Sequence, residues 1–514
     1  MIARLFKSAL FLVSAFVWAA FFWVGLRRLP CAVENGNLEG LMMDHVARIA
    51  HGQPLYVEPS LGFTPFAYMP LYTTIVGLLS RVLGLEFWVG RAVAMGAATG
   101  LALLMLWIVR RETGSKLLGF AAGAIWLWGQ GLIAGGYDLI RSDPPMLFFA
   151  FLGLAVLRYG RGATSAVLAA LLGAAAFFTK QHGLVLACSP LPWLLLCDRK
   201  RFLPYLFTLA AAAGGGFAVL SAWLGPWFRF YVYDVPSHWS QLDRVRILDF
   251  LQLRLLGSFS PLTLPALFAF ARGGKLWNEP VSFWWWTGLG GIGCGFLATL
   301  DPYQYFHVLM PVLAALAITG PIAIHRLLIA GETTARWRGE AFACCALALQ
   351  FLAILYHPLA GHVRRDDGRE ARAAWVARLA AEPGPVLMPY HGWYTTLAGK
   401  GPSIGLLPID DILRSHGNSL LERDPQFIAK LFEPLRRGPG RPVLFTDVPL
   451  DSFRDRSGPY WRSLRFSYRL ADTLPIEPSL RALDGYGSTP RFLYRPIEPD
   501  AAADSSGPGS PDAR

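Results

Sequence analysis

The chain has 514 residues, of which 54% are hydrophobic and 16% charged, and it carries a net charge of +12. That is too apolar for an ordinary soluble protein, and the length leaves room for a helix bundle plus a soluble domain. The basic residues are spread over short loops and a C-terminal region, which fits anionic lipid headgroups and argues against nucleic acid as a partner.

The first apolar run, residues 11–26, has no small-residue cleavage site after it and reads as a retained helix rather than a signal peptide. Further runs cover residues 89–109, 117–135, 145–157, 163–178, 184–197, 203–224, 256–271, 281–300, 308–328 and 341–356. A bilayer core takes roughly 20 apolar helical residues per crossing and tolerates no unpaired backbone group. The expected fold is therefore an α-helical polytopic membrane protein with about eleven crossings. Alternate loops are basic, carrying Arg110, Arg111 and Lys116, then Arg158 and Arg161, then Arg199, Lys200 and Arg201, then Arg272 and Lys275, then Arg326, Arg336 and Arg338. These mark the cytoplasmic side and put the C-terminal region outside, with Arg27 and Arg28 opposing the rule locally.

Residues 29–87 form a long outer loop. Within it 38–50 has helical spacing, Gly52-Gln53-Pro54 breaks the chain, and 70–83 reads as a short amphipathic or re-entrant helix. Shorter outer loops fall at 136–144 and 225–254. The second of these is rich in aromatics (Trp227, Phe228, Phe230, Tyr231, Tyr233, Trp239) that suit an interfacial belt or a sugar or prenyl surface.

The bundle is expected to end near residue 358. Over 359–498, short strands at 385–390, 442–446 and 491–494 and helices at 371–379 and 424–435 predict a small α/β or α+β extracytoplasmic domain. Residues 499–514, rich in Ala, Ser, Gly, Pro and Asp, read as a disordered tail. Cys188, Cys197, Cys294, Cys344 and Cys345 lie in or beside apolar runs, and no cysteine follows Cys345, so the outer domain has no disulfide framework.

Acids at the outer membrane face are costly unless solvated or paired, so their convergence there marks candidate chemistry. The long loop offers Glu34, Glu39 and Asp44, and the next outer turn offers Asp138 and Asp143, the latter also suited to cap a helix. Lys180, Arg141 and His307 stand at outer helix ends, where they suit a phosphate headgroup or simply snorkel to lipid. His45 and His51 near Asp44 do not have metal-site spacing, so no metal or other cofactor is indicated.

Glu39-Gly40, Arg48-Ile49-Ala50-His51-Gly52-Gln53-Pro54-Leu55-Tyr56, Tyr68-Met69-Pro70-Leu71-Tyr72, Arg91, the turn from Asp138 to Pro144 and Thr179-Lys180-Gln181 together resemble the GT-C membrane glycosyltransferases. Among these, the protein O-mannosyltransferase and lipid A aminoarabinose transferase group is most similar. The resemblance covers residues 5–330 and is sharpest over 34–91. It implies inverting transfer of a sugar from a polyprenyl-phosphate donor to a lipid, glycan or protein acceptor, on the extracytoplasmic face of a bacterial inner membrane.

By position the family's catalytic base falls on Glu39 or Glu34 and its second acid on Asp138 or Asp143, while Asp44, Tyr56, Tyr68, Tyr137, Gln181 and Tyr303 are candidates for substrate contact. The family's adjacent Asp-Glu pair is missing from the first loop. The absence of a nucleotide-binding glycine fingerprint agrees with a lipid-linked donor. Two other classes compete: a transporter or flippase of lipid-linked sugar, which calls for mid-helix charges and related halves, and a noncatalytic subunit that binds lipid-linked sugar.

Overall fold

The computed structural model describes residues 2–131, 136–271, 282–301, 306–328, 336–354, 363–364, 366–483 and 489–498. The expected tail and Tyr303 lie outside the described residues. Every predicted apolar run contains helix. Among the described residues, six helical stretches are long and apolar enough to cross a membrane: Ala3–Arg28, Phe87–Thr113, Gly162–Thr179, Arg199–Leu224, Arg244–Ala271 and Phe306–Leu328. The remaining runs make shorter or less apolar helices, so helix length does not establish eleven crossings. In the run 117–135 the described helix is Lys116–Trp128, residues 132–135 lying outside the described residues, and 184–197 split into Gly183–Cys188 and Leu191–Cys197 around Ser189-Pro190, where proline removes a backbone donor.

Helices α1 (Ile2–Arg28), α2 (Glu39–Ala50), α3 (Leu71–Leu83), α4 (Phe87–Thr113), α5 (Lys116–Trp128), α6 (Asp143–Tyr159) and α7 (Gly162–Thr179) build one side of the bundle and its outer loop. The stretch Phe306–Leu328 is its axis, wholly buried over its apolar window. Small residues seat it against the helix Ser282–Thr299: a Cβ at Gly291 would come within 2.3 Å of the Ala315 Cβ, and one at Gly295 within 2.3 Å of Val312. Close backbone approach of this kind supplies the dispersion contact that holds helices together in lipid. The periphery is different, since Arg199–Leu224 leaves Leu203, Phe207, Val219 and Trp223 exposed, as a lipid-facing helix should.

At the end of the bundle that meets the C-terminal domain, α2 and α3 cross at Gly77, where a Cβ would collide with Ile49 at 2.5 Å. Phe228, Phe230 and Tyr231 of the third outer loop pack with Tyr56 and Phe63 into one apolar cluster that ties this face together.

The C-terminal domain is α+β. Strands β1 (Val386–Leu387), β2 (Val443–Thr446), β3 (Tyr468–Thr473) and β4 (Phe492–Pro496) form a sheet of order β1-β2-β4-β3, with β1 and β2 parallel and the other pairs antiparallel. The sequence anticipates three of these strands and the helices Arg369–Ala381 and Phe427–Arg436. It misses β3, an edge strand exposed at every position after Tyr468, which therefore shows no apolar alternation.

In a cysteine-free background, a cysteine placed at Asp451 in this domain is expected to react with an impermeant thiol reagent on intact spheroplasts. A cysteine at Lys116, between α4 and α5, is expected to stay unlabelled; labelling at Lys116 alone would invert the topology. Both positions are exposed, so accessibility from one side decides the outcome.

Candidate active site

A cavity of about 1530 Å³ lies between one end of the bundle and the C-terminal domain. Its bundle side is charged. Asp143 opens α6, Lys180 ends α7, Arg141 lies in the turn before α6, and His307 begins the axial helix. Lys180 Nζ donates to Asp143 Oδ1 at 2.7 Å, and Arg141 Nε lies 3.7 Å from Asp143 Oδ2. All three side chains are largely buried, with exposures of 11% for Lys180, 8% for Asp143 and 15% for Arg141. Among the described residues His307 Nδ1 is buried without a hydrogen-bond partner, and Lys180 also sits 5.6 Å from the Tyr68 ring. Gln181 donates to the carbonyls of Ala67 and Val232, so it joins two outer loops while lining the same space.

The C-terminal domain supplies the rest of the wall. The helix Leu406–Arg414 delivers Asp410, Asp411 and Arg414. Arg414 bridges Asp301 at 2.8 Å and Asp411 at 2.6 Å and stacks on Trp239 at 4.0 Å. Burial pushes Asp411 up to about 6 against the pull of Arg414, and it pushes Asp410 up to about 7, although Asp410 accepts from the Ser457 amide at 2.7 Å. Tyr68 lies within the fields of both groups, Arg141 with Asp143 and Arg414 with Asp411, so the two halves of the wall meet around it.

The other expected site residues fall elsewhere. Glu39 touches the cavity wall, but its carboxylate is closed. Oε1 accepts from Arg91 Nε at 2.9 Å and the Ile140 amide at 3.1 Å; Oε2 accepts from Arg91 Nη2 at 2.6 Å and the amides of Asn35 at 2.7 Å and Gly36 at 3.4 Å. Burial would raise this carboxyl, yet Arg91 beside it holds it below the usual carboxylate range. Arg91 spends its remaining donors on the carbonyls of Arg28, Cys31 and Val33. Glu39 thus pins the loop after α1 to α4 and to the second outer turn, and it has no lone pair left for a nucleophile.

Asp138 is not on the cavity: it is fully buried 3.3 Å from Arg28. Tyr137 is stacked on Trp126 within the bundle, and the Tyr56 hydroxyl donates to the Tyr68 carbonyl at 2.7 Å, so neither reaches the space. Asp44 is covered by the helix Gly392–Leu397, accepts from Thr396 at 2.8 Å, and is pushed by burial up to about 8. His45 bonds the Leu41 carbonyl and the Phe66 amide within its own loop.

Glu34 is also absent from the cavity lining and belongs to a bridge between the domains. His391 Nδ1 lies 2.5 Å from Glu34 Oε2 and its Nε2 lies 3.0 Å from Asp447 Oδ2, all three being nearly inaccessible. Burial opposes charge on the imidazole, but the two carboxylates outweigh it and raise His391 well above its ordinary value. A raised folded-state value stabilises fully below the unfolded imidazole's titration and is lost as pH climbs through the folded one. The melting-temperature gap between wild type and His391→Gln is therefore expected to be widest near pH 6 and to narrow on the alkaline side. A gap that widens toward pH 9 would show that His391 is held neutral.

Among the described residues, no group of three or more His, Cys, Asp or Glu has metal-site geometry. Neither a protein-family model nor a curated protein sequence matches this chain significantly. Solved structures do. ArnT from Cupriavidus metallidurans in the apo state superposes with a TM-score of 0.59 at 12% identity over 95% of this chain and 97% of that one. The same enzyme bound to undecaprenyl phosphate gives 0.56 at 12% identity over 95% and 98%. The oligosaccharyltransferase AglB from Archaeoglobus fulgidus, in complex with an inhibitory peptide and a dolichol-phosphate, gives 0.52 at 12% identity over 87% and 70%.

Proposed function

The chain has the GT-C fold of a polytopic membrane protein, and from that premise we propose that it transfers a sugar from a polyprenyl-phosphate donor to a hydroxyl acceptor at the extracytoplasmic face of a bacterial inner membrane. The observation that carries the reading is the Lys180–Asp143–Arg141 cluster, a buried acid between two cations at the bundle end of one large cavity. The undecaprenyl and dolichol phosphates named in the similar structures support the donor class. The acceptor is a lipid, glycan or protein.

In this reading Lys180, Arg141 and His307 receive the donor phosphate. An ammonium has three donors, and Lys180 gives one to Asp143, so two remain for phosphate oxygens. Asp143, rather than Glu39 or Glu34, serves as general base, because its carboxylate lines the cavity and is not enclosed by backbone amides. The acceptor oxygen attacks the anomeric carbon, the bond to the phosphate oxygen breaks with inversion, and the hydroxyl proton passes to Asp143. The leaving phosphate keeps the bonding pair and is stabilised by Lys180 and Arg141. Donor binding also readies the base: an anion beside Lys180 and Arg141 offsets their field and raises the proton affinity of Asp143. The reaction uses no cofactor.

Purified protein incubated with a panel of radiolabelled polyprenyl-phosphate sugars and an extracted membrane acceptor fraction tests this. Label from at least one donor is expected in an acceptor, with free polyprenyl phosphate as the co-product. Absence of transfer from every donor, with wild-type protein that melts cooperatively, would sink the reading.

A further inference from the structure

The end of the bundle opposite the cavity carries a second cluster that the transfer scheme does not use. Helix α6 opens on the cavity with Asp143 and closes at Tyr159; its 17 residues span about 25 Å at 1.5 Å each. There the Tyr159 ring lies 4.8 Å from the Arg111 guanidinium of α4 and 5.2 Å from that of Arg158, and it packs edge-on against Trp107 at 4.7 Å. Arg111 also reaches the Trp107 ring at 5.4 Å. Glu112 holds the group together: its Oε1 accepts from the Tyr159 hydroxyl at 2.9 Å and from Trp284 Nε1 at 3.0 Å, and it lies 2.9 Å from Arg158 Nη2. Three helices, α4, α6 and Ser282–Thr299, thus converge on one carboxylate. That acid is committed to Arg158. Among the described residues the Arg111 guanidinium has no ion pair or hydrogen bond, and Arg158 Nε is buried without a partner.

A second observation points to a lipid. Leu103, Trp107 and Arg111 are spaced by four and share one face of α4, and Leu103 and Trp107 are 53% and 41% exposed, so an open apolar stripe leads from the guanidinium toward the middle of the bundle. Tryptophan favours the headgroup level of a bilayer, and a planar guanidinium bonds phosphate oxygens two at a time. We propose that Arg111, with Tyr159 and Trp107, holds the phosphate of an anionic phospholipid from the leaflet opposite the cavity, with an acyl chain along the Leu103–Trp107 face of α4. The proposal is independent of the sugar-transfer reading. Bound there, the lipid ties together the far ends of α4 and α6, whose near ends carry Arg91 and Asp143.

The test uses full-length protein stripped of lipid in detergent and a phosphatidylglycerol with a photoactivatable diazirine in one acyl chain, the crosslinks being mapped by mass spectrometry. Label is expected on α4 between Leu103 and Arg111. Unlabelled phosphatidylglycerol is expected to displace the probe at about tenfold lower concentration than phosphatidylcholine, and free glycerol 3-phosphate not to displace it. Arg111→Gln is expected to weaken probe binding about tenfold and Arg111→Lys to retain part of it. Lys200→Gln and Lys180→Ala are expected to bind as wild type. Lys200 is an exposed cation at the same end of the bundle, next to Arg201, which donates to the Gly160 carbonyl just past α6, whereas Lys180 belongs to the cavity.

Label that avoids α4, or equal displacement by the two phospholipids, would overturn the proposal. So would an equal loss in Lys200→Gln, since diffuse basic charge would then account for the binding, and so would a loss confined to Lys180→Ala, since the probe would then sit in the cavity. Displacement by glycerol 3-phosphate would show that the cluster takes a free phosphate rather than a lipid. Arg111 is exposed and outside the bundle's core, so its replacement leaves the fold in place.

Discussion

Replacement of Asp143 by Asn is expected to lower the rate of sugar transfer by about 10²- to 10⁴-fold, the usual worth of a positioned base, while donor affinity changes only a few-fold. Asn keeps the shape and can still accept from Lys180 Nζ, now 2.7 Å away, but it cannot take the acceptor's proton. The comparison that matters is with Glu39→Gln and Glu34→Gln in the same assay. The Glu39 carboxylate is absorbed by Arg91 and three amides, and Glu34 is buried away from the cavity with Oε2 on His391. Turnover that survives in Asp143→Asn and collapses in a cooperatively folded Glu39→Gln would return the base to the first loop.

Arg91→Ala should have its main effect on folding. The Glu39 carboxylate would be left buried with its strongest partner gone, and breaking a buried pair from one side costs about 3 to 5 kcal/mol. The three carbonyls that Arg91 ties together would lose their donors as well. Arg91→Lys is expected to recover little of this, because a single ammonium cannot reproduce a guanidinium that bonds two carboxylate oxygens and three carbonyls. Thermal unfolding in detergent checks the expectation. A variant that melts within a degree or two of wild type would mean that Glu39 is not the pin between the outer loop and α4.

Much of this architecture is legible in the sequence, because lipid imposes a strict rule. Apolar runs locate the helices, and the breaks at Gly52-Gln53-Pro54 and before α3 locate the outer elements. Asp143, Arg141, Lys180 and Gln181 could be singled out because a charged or amide group at the outer end of an apolar helix stands apart from its neighbours. What pattern does not give is partnership over distance. Glu39 and Arg91 are 52 positions apart, and His391 reaches Glu34 across 357, so nothing local distinguishes an acid saturated by donors from one open to substrate. The same holds for Asp410, Asp411 and Arg414, which the sequence reading passes over: their helix buries Ile409 and Ile412, and its polar side becomes cavity wall only where the domain meets the bundle. Asp138 is a candidate for the second acid by family position and Tyr137 stands beside it, but the 3-10 turn Gly136–Asp138 buries both in the bundle.

The central claim is that Lys180 and Arg141, at the bundle end of the cavity, hold the phosphate of a polyprenyl carrier. Binding of undecaprenyl phosphate to the purified protein, titrated in nanodiscs for wild type, Lys180→Ala and Lys180→Arg, addresses it directly. A charge-assisted contact to phosphate is worth about 1.5 to 3 kcal/mol, so Lys180→Ala is expected to bind at least roughly tenfold more weakly, with Lys180→Arg between it and wild type. If both variants bind the lipid as tightly as wild type, Lys180 serves Asp143 alone and the cluster is not the donor site.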